Sequence, residues 1–352
     1  MFNTKGGKIM KSLMRILITG VFLFGLFGTA EAAEVPLPAN TTVRLVVPYS
    51  PGGGYDTYAR LMAPSLEKAI KEMGGKGIKV IVQNVTGGGG SIGTTTVYNA
   101  KPNGKEILFL DPETSLWQQM LMAAKFDVSK FKYLAQQSVD AMGVIVSAKS
   151  GINTWDEFVK RSQTKPILVG TSGSGNYDHI YPIMFRLAMV EQGIKLNFDY
   201  LHNKGVGPMM ASMRRGEAEA AIEVVTSFYG FIKEGNAKFL FTLTDKRHPM
   251  IPDVPTLAEV VGDDKAAKFS DLIASANFHR VYVLPPGTDA KLVDFYAAAF
   301  GKAMKDPELI EKGKKAKRPM TYADAEEMNK VIELMFDLAS KYKDQVKKEL
   351  GK

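Results

Sequence analysis

A unit of apolar strand, glycine-rich loop and helix occurs three times in this 352-residue chain and restricts its fold more than any other feature. The strands are predicted at 43–47, 78–85 and 167–169, and the loops that follow them are 48–56, 86–93 and 171–176. Further apolar runs alternate with helical patterns along the rest of the chain, with strands predicted at 107–110, 144–146 and 220–224 among them. A helix is predicted at 57–73, and Pro64 inside it is expected to kink or split it. Continuous apolar strands separated by helices predict an α/β fold, with parallel-rich sheets that carry helices on both faces.

Glycine-rich loops between a strand and a helix are suited to binding anions. The first N–H groups of a helix have no partner within the helix, and the helix dipole favours negative charge at that end. Missing side chains let a ligand approach these amides closely. In an open parallel sheet the three loops fall at the carboxyl ends of strands, where ligands bind. Together they predict a site for a phosphate or a carboxylate, whereas one loop alone is also explained as a tight turn.

The second loop contains the dinucleotide-binding pattern G-x-G-x-x-G, formed by Gly88, Gly90 and Gly93. Asp111 lies about 20 residues further on, where a ribose-binding acid is expected. Taken literally, this pattern indicates an exported NAD-type oxidoreductase. The pattern follows the second strand rather than the first, and four consecutive glycines make the turn looser than usual. We therefore keep the oxidoreductase only as an alternative.

The N-terminus has the features of a secretory signal peptide over residues 1–32. Four basic residues among the first 15 precede an apolar run, 16–27, and the A-x-A sequence Ala30-Glu31-Ala32 follows. This order predicts cleavage between Ala32 and Ala33 and export to the periplasm. The apolar run is short for a retained membrane anchor, which is the alternative interpretation.

Composition argues against most catalytic classes. The chain has no cysteine, and its four histidines show no metal-binding spacing. No nucleophile elbow or P-loop occurs, so we predict no catalysis and no cofactor or metal. The net charge of +8 falls to +5 without residues 1–32, and the basic stretch Lys312–Arg318 is interpreted as a solvated helix end. Nucleic acid is therefore not an expected partner.

Several segments resemble one family in their order along the chain. The sequence VRLVVPYSPGGGYDTYAR at 43–60, the stretch 79–108 with its glycine loop, and Val169–Gly175 carry the resemblance, together with 251–259 and 284–288. The chain resembles the solute-binding proteins of tripartite tricarboxylate transporters, the Bug or TctC family. The similarity covers nearly all of the chain after the predicted signal peptide.

This resemblance implies a two-domain periplasmic binding protein, type II-like, that closes on its ligand like a Venus flytrap. Domain 1 would comprise residues 33–138 plus 278–352, and domain 2 residues 139–277. The ligand would be a small organic acid: a di- or tricarboxylate, an aromatic acid or an amino acid. The protein, a monomer, would deliver it to the membrane permease subunits of a tripartite tricarboxylate transporter. A solute sensor for a signalling receptor is a further alternative, since it would have the same fold.

The resemblance also implies the ligand-binding residues. They come from the three glycine-rich loops and one strand end: Tyr49, Ser50, Gly53, Tyr55, Asp56, Gly88, Gly89, Gly90, Ser91, Ser172, Gly173, Asn176, Tyr177 and Glu223. Asp56 has two interpretations, as the N-cap of a helix that begins at Thr57 and as an acid in the pocket. Where many members have V-P-Y-K-G, this chain has Tyr200–Gly205, so the part of the site around the distal end of the ligand differs. Phe228 is expected either to enclose a bulky ligand or to belong to the core.

Overall fold

The computed structural model describes residues 35–262 and 277–351. The predicted signal peptide lies outside the described residues. Within these two ranges, no helix is both long enough and apolar enough to cross a bilayer.

The described chain alternates strands and helices, as the sequence predicts. The strands are β1 (Thr42–Val47), β2 (Lys79–Asn84), β3 (Glu106–Leu110), β4 (Lys132–Ser147), β5 (Ile167–Thr171), β6 (Phe198–His202), β7 (Ala220–Val224), β8 (Ala237–Thr242), β9 (Asn277–Leu284) and β10 (Ala323–Asp324). The helices are α1 (Gly54–Glu72), α2 (Ser91–Tyr98), α3 (Pro112–Leu121), α4 (Trp155–Thr164), α5 (Tyr177–Glu191), α6 (Val206–Arg215), α7 (Val225–Lys233), α8 (Leu257–Val261), α9 (Ala290–Ala303), α10 (Pro307–Lys315) and α11 (Ala325–Glu349).

The strands form one mixed sheet in the order β2-β1-β3-β9-β4-β7-β5-β6, with β8 and β10 also paired to β4. The strands that carry the glycine-rich loops are parallel to their neighbours: β1 to β2 and β3, and β5 to β6 and β7. Strands β3, β4, β7, β8, β9 and β10 meet in antiparallel pairs. This fold confirms the predicted α/β class.

Strand β4 passes from one part of the sheet into the other. Its residues 132–141 pair with β9, whereas residues 142–147 pair with β7 and β8. We call the strands on the β9 side, with the start of β4, the first half-sheet. The end of β4 with β5, β6, β7 and β8 is the second half-sheet. The sequence predicts a strand only at 144–146, because polar residues interrupt the apolar run before it.

Each half-sheet has its own apolar core. In the first, the rings of Phe109, Tyr282 and Phe300 stack at 4.3 Å and join β3, β9 and α9. In the second, a cluster around Ile145 packs against α6 and α7 and includes Phe228, which has no exposed surface. Phe228 is therefore a core residue, and the expectation that it encloses a ligand is wrong. Burial of such rings supplies most of the free energy that favours the fold.

Helix α1 differs from its predicted form in two ways. It begins at Gly54 rather than Thr57, and it is not split at Pro64. Pro64 and Arg60 are both exposed. Water can therefore satisfy the Arg60 carbonyl that loses its N–H partner to the proline. Of the two forms expected at Pro64, a kink or a split, the split is therefore wrong.

Candidate functional site

A cleft of about 1620 Å³ lies where the three glycine-rich loops meet. Its walls include residues 48–55 after β1, residues 86–92 after β2, and residues 172–174 with Asn176 and Tyr177 after β5. The start of α6, residues 204–208, also lines it. The cleft therefore receives loops from both half-sheets. The parallel pairing of β1 with β2 explains part of this arrangement, since the carboxyl ends of parallel strands lie at one edge.

Five of the helices that begin at this cleft share an unusual N-terminus. Among the described helices, α1, α2, α5, α6 and α7 have no hydrogen bond from the N-cap side chain to the first turn. A first-turn residue of each lines the cleft: Tyr55, Ser91, Tyr177, Val206 and Ser227. No N-cap side chain satisfies the first-turn amides of these helices. Some of them are bonded elsewhere in the protein: the N–H of Thr226 in α7 donates to Oδ2 of Asp140 at 3.3 Å, and that of His179 in α5 donates to the carbonyl oxygen of Asn176 at 2.9 Å.

The other described helices are capped in the ordinary way. The oxygen atoms of Asp111, Thr154, Thr256, Asp289, Asp306 and Asp324 each accept an N–H at the start of their helix. Of these six residues only Asp111 lines the cleft. Among the described helices, missing caps are thus confined to helices that begin at the cleft, where α3 is the one with a cap. Helix N-termini that converge on one cleft favour an anionic group there.

Some loop amides at the cleft are already bonded within the protein. The N–H of Gly52 donates to Oδ2 of Asp56 at 2.8 Å, and the N–H of Ser172 donates to Oδ2 of Asp178 at 2.5 Å. The N–H of Gly175 donates to Nδ1 of His179 at 3.0 Å. These three loop amides are therefore not available to a ligand.

Asp56 lies beside the cleft but does not line it. Its carboxylate accepts hydrogen bonds from Gly52, from Nε of Arg60 at 2.9 Å and from Nδ2 of Asn84 at 3.0 Å. Burial alone would raise the pKa of Asp56, but these hydrogen bonds hold it below its usual value. The N-cap of α1 is Gly53, so neither interpretation of Asp56 describes this arrangement. Asp56 instead ties the first loop to α1 and β2.

Glu223 is also placed behind the wall of the cleft. It is fully buried, and its Oε2 accepts from the hydroxyl of Tyr177 at 2.8 Å and from the N–H of Val224 at 3.0 Å. Burial, and then the nearby Asp178, raise the pKa of Glu223 well above its usual value. Tyr177 does line the cleft, so Glu223 acts on the site by holding that ring.

The other twelve predicted site residues all line the cleft: Tyr49, Ser50, Gly53, Tyr55, Gly88, Gly89, Gly90, Ser91, Ser172, Gly173, Asn176 and Tyr177. The structure thus brings the three predicted loops together around one space. Two contacts support the second loop. Nε2 of Gln118 donates to the carbonyl oxygens of Gly88, at 3.2 Å, and of Gly89, at 3.0 Å.

Asp111 has a structural role that the sequence did not indicate. Its Oδ1 accepts the N–H of Thr114 at 2.9 Å at the start of α3, and its Oδ2 accepts the hydroxyl of Tyr49 at 2.7 Å. Burial and the nearby carboxylate of Glu113 raise the pKa of Asp111 to about 7. Both oxygens are thus engaged within the protein, which leaves no support for a ribose-binding role.

The predicted site lacks two arginines that line the cleft, Arg280 on β9 and Arg318 after α10. Arg280 stands in an apolar strand, and a charged residue in a buried strand was a usable signal. Arg318 belonged to the basic stretch that was interpreted as a solvated helix end. That interpretation is wrong for Arg318, which is half-buried and lines the cleft.

Comparison with known proteins agrees with this geometry. The profile of the tripartite tricarboxylate transporter family receptor, TctC, matches residues 63–349. The chain belongs to the TctC family. It is 24% identical over 298 residues to protein BugT of Bordetella pertussis, covering 82% of this chain and 85% of BugT.

Solved structures show the same fold for this TctC-family chain. The periplasmic binding protein BugD has a TM-score of 0.70 at 22% identity, covering 86% of this chain and 97% of BugD. MatC from Rhodopseudomonas palustris, solved with bound malate, has a TM-score of 0.69 at 19% identity, covering 87% of this chain and 99% of MatC. TctC-family proteins are periplasmic solute-binding proteins and not enzymes. The oxidoreductase alternative is therefore wrong.

Proposed function

We propose that this protein is exported to the periplasm, captures a small organic acid in the cleft, and delivers it to the permease subunits of a tripartite tricarboxylate transporter. The observation that carries this proposal is the convergence on one cleft of four helix N-termini without side-chain caps, those of α1, α2, α5 and α6. Family membership supports the same assignment, because TctC is a receptor of such transporters.

A carboxylate suits these helix ends for physical reasons. Its two oxygens accept several N–H groups at once, and hydrogen bonds to a charged acceptor are about twice as strong as neutral ones. The helix dipoles add to the attraction, since the positive end of each points toward the cleft. MatC, which shares the fold, was solved with malate, a carboxylate. We propose that the ligand contacts come from the twelve predicted residues that line the cleft, and that Asp56 and Glu223 support them from behind.

We further propose that the chain closes on its ligand as two domains, residues 33–138 plus 278–352 and residues 139–277. The change of partners along β4 supports this division, since its residues 132–141 pair with β9 and residues 142–147 with β7 and β8. A ligand that touches loops from both half-sheets binds the closed form better and shifts the equilibrium toward it.

A thermal-shift screen of the purified protein tests ligand capture. The panel comprises mono-, di- and tricarboxylates, aromatic acids and amino acids, with NAD as a control. A true ligand at 100 times its Kd adds about 2.7 kcal/mol to the free energy of unfolding. We expect at least one acid, and not NAD, to raise the melting temperature. A panel without any shift, followed by isothermal titration without heat, contradicts the proposal.

Two further measurements test export and delivery. We expect the protein recovered from the periplasm to begin at Ala33, which its intact mass would show. The liganded protein should co-purify with the integral membrane subunits of a tripartite transporter. Retention of residues 1–32, or co-purification with a membrane kinase instead of a permease, would contradict export with cleavage or transport, respectively.

A further inference from the structure

Two guanidinium groups lie at one wall of the cleft. They belong to segments that are far from the glycine-rich loops in sequence. Arg280 comes from β9, and Arg318 comes from the segment between α10 and β10. They are close enough for the charge of Arg280 to lower the pKa of Arg318, after the larger effect of burial. Like charges are seldom held together in a protein interior unless an anion lies between or beside them.

Arg280 is almost entirely enclosed, with 2% of its surface exposed. Its guanidinium carbon lies 4.8 Å from the ring centre of Tyr58 and 5.0 Å from that of Phe278, which fixes the plane of the group. Nη1 donates to Oγ of Ser138 at 3.1 Å. Among the described residues, Nε has no hydrogen-bond acceptor. An arginine has five N–H donors, so the protein leaves much of this group's capacity unused.

Arg318 shows the same shortage of partners. Its Nη1 donates to the carbonyl oxygen of Thr226 at 3.2 Å, and its Nε is buried without an acceptor in the described part of the chain. The neighbouring Pro319 carbonyl accepts the hydroxyl of Tyr58 at 3.1 Å. That bond ties the segment carrying Arg318 to α1, beside the ring over which Arg280 lies.

The acids nearby do not balance these charges. Asp140 is the carboxylate beside Arg280, with Oδ2 3.9 Å from Nη1, and Thr226 also donates to that oxygen. His248 lies 3.8 Å from the other oxygen of Asp140, and burial lowers the pKa of His248, which keeps it neutral at pH 7. Two guanidinium groups therefore share one carboxylate. Asp111 is the only acid among the described residues that line the cleft.

We propose that Arg280 and Arg318 form a second anion-binding subsite in the cleft, so that the ligand carries two anionic groups. This inference rests on the proposed function and specifies it further. The helix N-termini bind one carboxylate, and the two guanidinium groups bind a second carboxylate or an oxyanion of similar size. The planar donors of arginine match such a group in a bidentate way.

Tyr55 fixes the separation of the two subsites. Its backbone lies in the first turn of α1, which belongs to the anion-binding helix ends, and its ring centre is 5.6 Å from the guanidinium carbon of Arg280. The second subsite therefore lies about one tyrosine side chain from the first. A short chain of a few carbon atoms between the two anionic groups spans this separation.

Matched ligands test the subsite. Titration calorimetry compares succinate with its monoamide and adipate with its monoamide, since each pair differs by one charge at nearly constant shape. A second anion held by buried guanidinium groups should make the better diacid bind about 10- to 100-fold more tightly than its monoamide. In Arg318→Gln, the diacid should fall to the affinity of the monoamide, while the affinity for the monoamide changes by less than about twofold.

Two further variants complete the design. Arg214→Gln removes a positive charge from an exposed ion pair with Glu234, outside the cleft, and should leave both affinities unchanged. Arg280→Lys keeps the charge at the buried position but loses the planar donors, and should reduce the preference for the diacid as well. Melting curves without ligand confirm that each variant folds. The subsite proposal is overturned, and the proposed function is not, if diacids and monoamides bind equally. The same holds if both Arg318→Gln and Arg280→Lys keep the full preference for the diacid. Absence of binding by any acid overturns the proposed function with it.

Discussion

Gly89 lies against the side chain of Asn176, so that a Cβ atom at Gly89 would be 2.5 Å from Oδ1 of Asn176. Gly89 follows β2 in the first half-sheet, and Asn176 precedes α5 in the second. The two half-sheets thus meet at the cleft through a residue without a side chain. Gly89 also has φ of 62°, a left-handed conformation that glycine adopts without strain.

We expect Gly89→Ala to weaken both stability and ligand affinity. The left-handed backbone costs an alanine about 1–2 kcal/mol, and the methyl group must displace Asn176. The control is Gly151→Ala, since Gly151 has φ of 73° and open space around its Cβ position. Gly151→Ala should show the backbone cost alone in denaturant unfolding, with no effect on carboxylate binding. Equal losses in both variants would show that the contact with Asn176 contributes nothing.

The first turn of α1 offers a direct test of amide recognition. Gly54 lines the cleft, and a Cβ atom there would meet nothing within 4 Å. Gly54→Val should fold normally and obstruct the amides of the turn. The loss of one hydrogen bond to a charged group, about 1.5–3 kcal/mol, corresponds to a fall in carboxylate affinity of roughly tenfold or more.

Gly230→Val is the matched control for that variant. Gly230 lies in α7, also has open space at its Cβ position, and does not line the cleft. Both variants place valine in a helix, where its intrinsic propensity is higher than that of glycine, so neither carries a propensity cost. Titration calorimetry should show normal affinity for Gly230→Val. If Gly54→Val also bound normally, the carboxylate would not lie at the start of α1.

Local sequence patterns predicted most of the fold. The apolar runs predicted β1, β2, β3, β5 and β7 to within about two residues at each end. Strands such as β3 and β7 are buried on both faces and are therefore visible from their own residues, and β2 is visible as an apolar run although its Ile81 is exposed. The full length of β4 was not predictable in this way. Its first ten residues pair with β9, a strand more than 130 positions away in sequence. Tertiary contacts, and not the local pattern, therefore decide its length.

The site was predictable only as far as it consists of continuous loops. Glycine-rich loops at strand ends come together because parallel strands align their carboxyl ends, and twelve of the fourteen predicted residues line the cleft. The direction of a side chain within a loop is not encoded by spacing, so Asp56 and Glu223 were placed in the pocket rather than behind it. Arg280 and Arg318 lie 38 positions apart in sequence and meet only in the folded chain.

The position of Asp56 behind the cleft allows a structural role to be distinguished from direct contact with the ligand. Asp56→Asn removes a charged acceptor from its hydrogen bonds with Arg60 and Gly52. We expect it to lower the free energy of unfolding by about 1–3 kcal/mol, since the residue is 3% exposed and bonded on both oxygens. The Kd for a carboxylate should change by less than about threefold. A large loss of affinity with normal stability would place Asp56 in contact with the ligand.

Glu223→Gln tests the same distinction on the other side of the cleft. Glutamine keeps an oxygen that accepts from the Tyr177 hydroxyl, and it replaces a carboxyl group whose pKa burial has already raised. We expect little change in affinity and stability. Glu223→Ala should instead leave the Tyr177 hydroxyl without its acceptor and cost about 1–3 kcal/mol. Measured melting temperatures and Kd values for the two variants therefore report whether Glu223 acts through Tyr177.

Asp111 gives a prediction for pH. Its pKa is raised from 3.8 to about 7 by burial and by Glu113, so the folded protein holds a proton that the unfolded chain releases near pH 4. The stability that this proton contributes is complete below pH 4 and is lost as the pH rises toward 7. Wild type should therefore gain stability relative to Asp111→Asn as the pH falls through this window. The slope should approach about 1.4 kcal/mol per pH unit, since one proton is involved.

Urea unfolding at intervals between pH 4 and 8 measures the difference in the free energy of unfolding between wild type and Asp111→Asn. Subtracting the Asp111→Asn curve removes the contributions of the other buried acids. Asp127→Asn is the control. Burial opposes the shift at Asp127, but hydrogen bonds from Ser129 and Gln119 lower its pKa, so its contribution is lost only as the pH falls below about 4. Its curve should run parallel to that of wild type between pH 5 and 7. If the Asp111→Asn curve also ran parallel to that of wild type, Asp111 would be ionised throughout this range. The hydrogen bond from the Tyr49 hydroxyl to Asp111 would then join two groups whose protonation does not change.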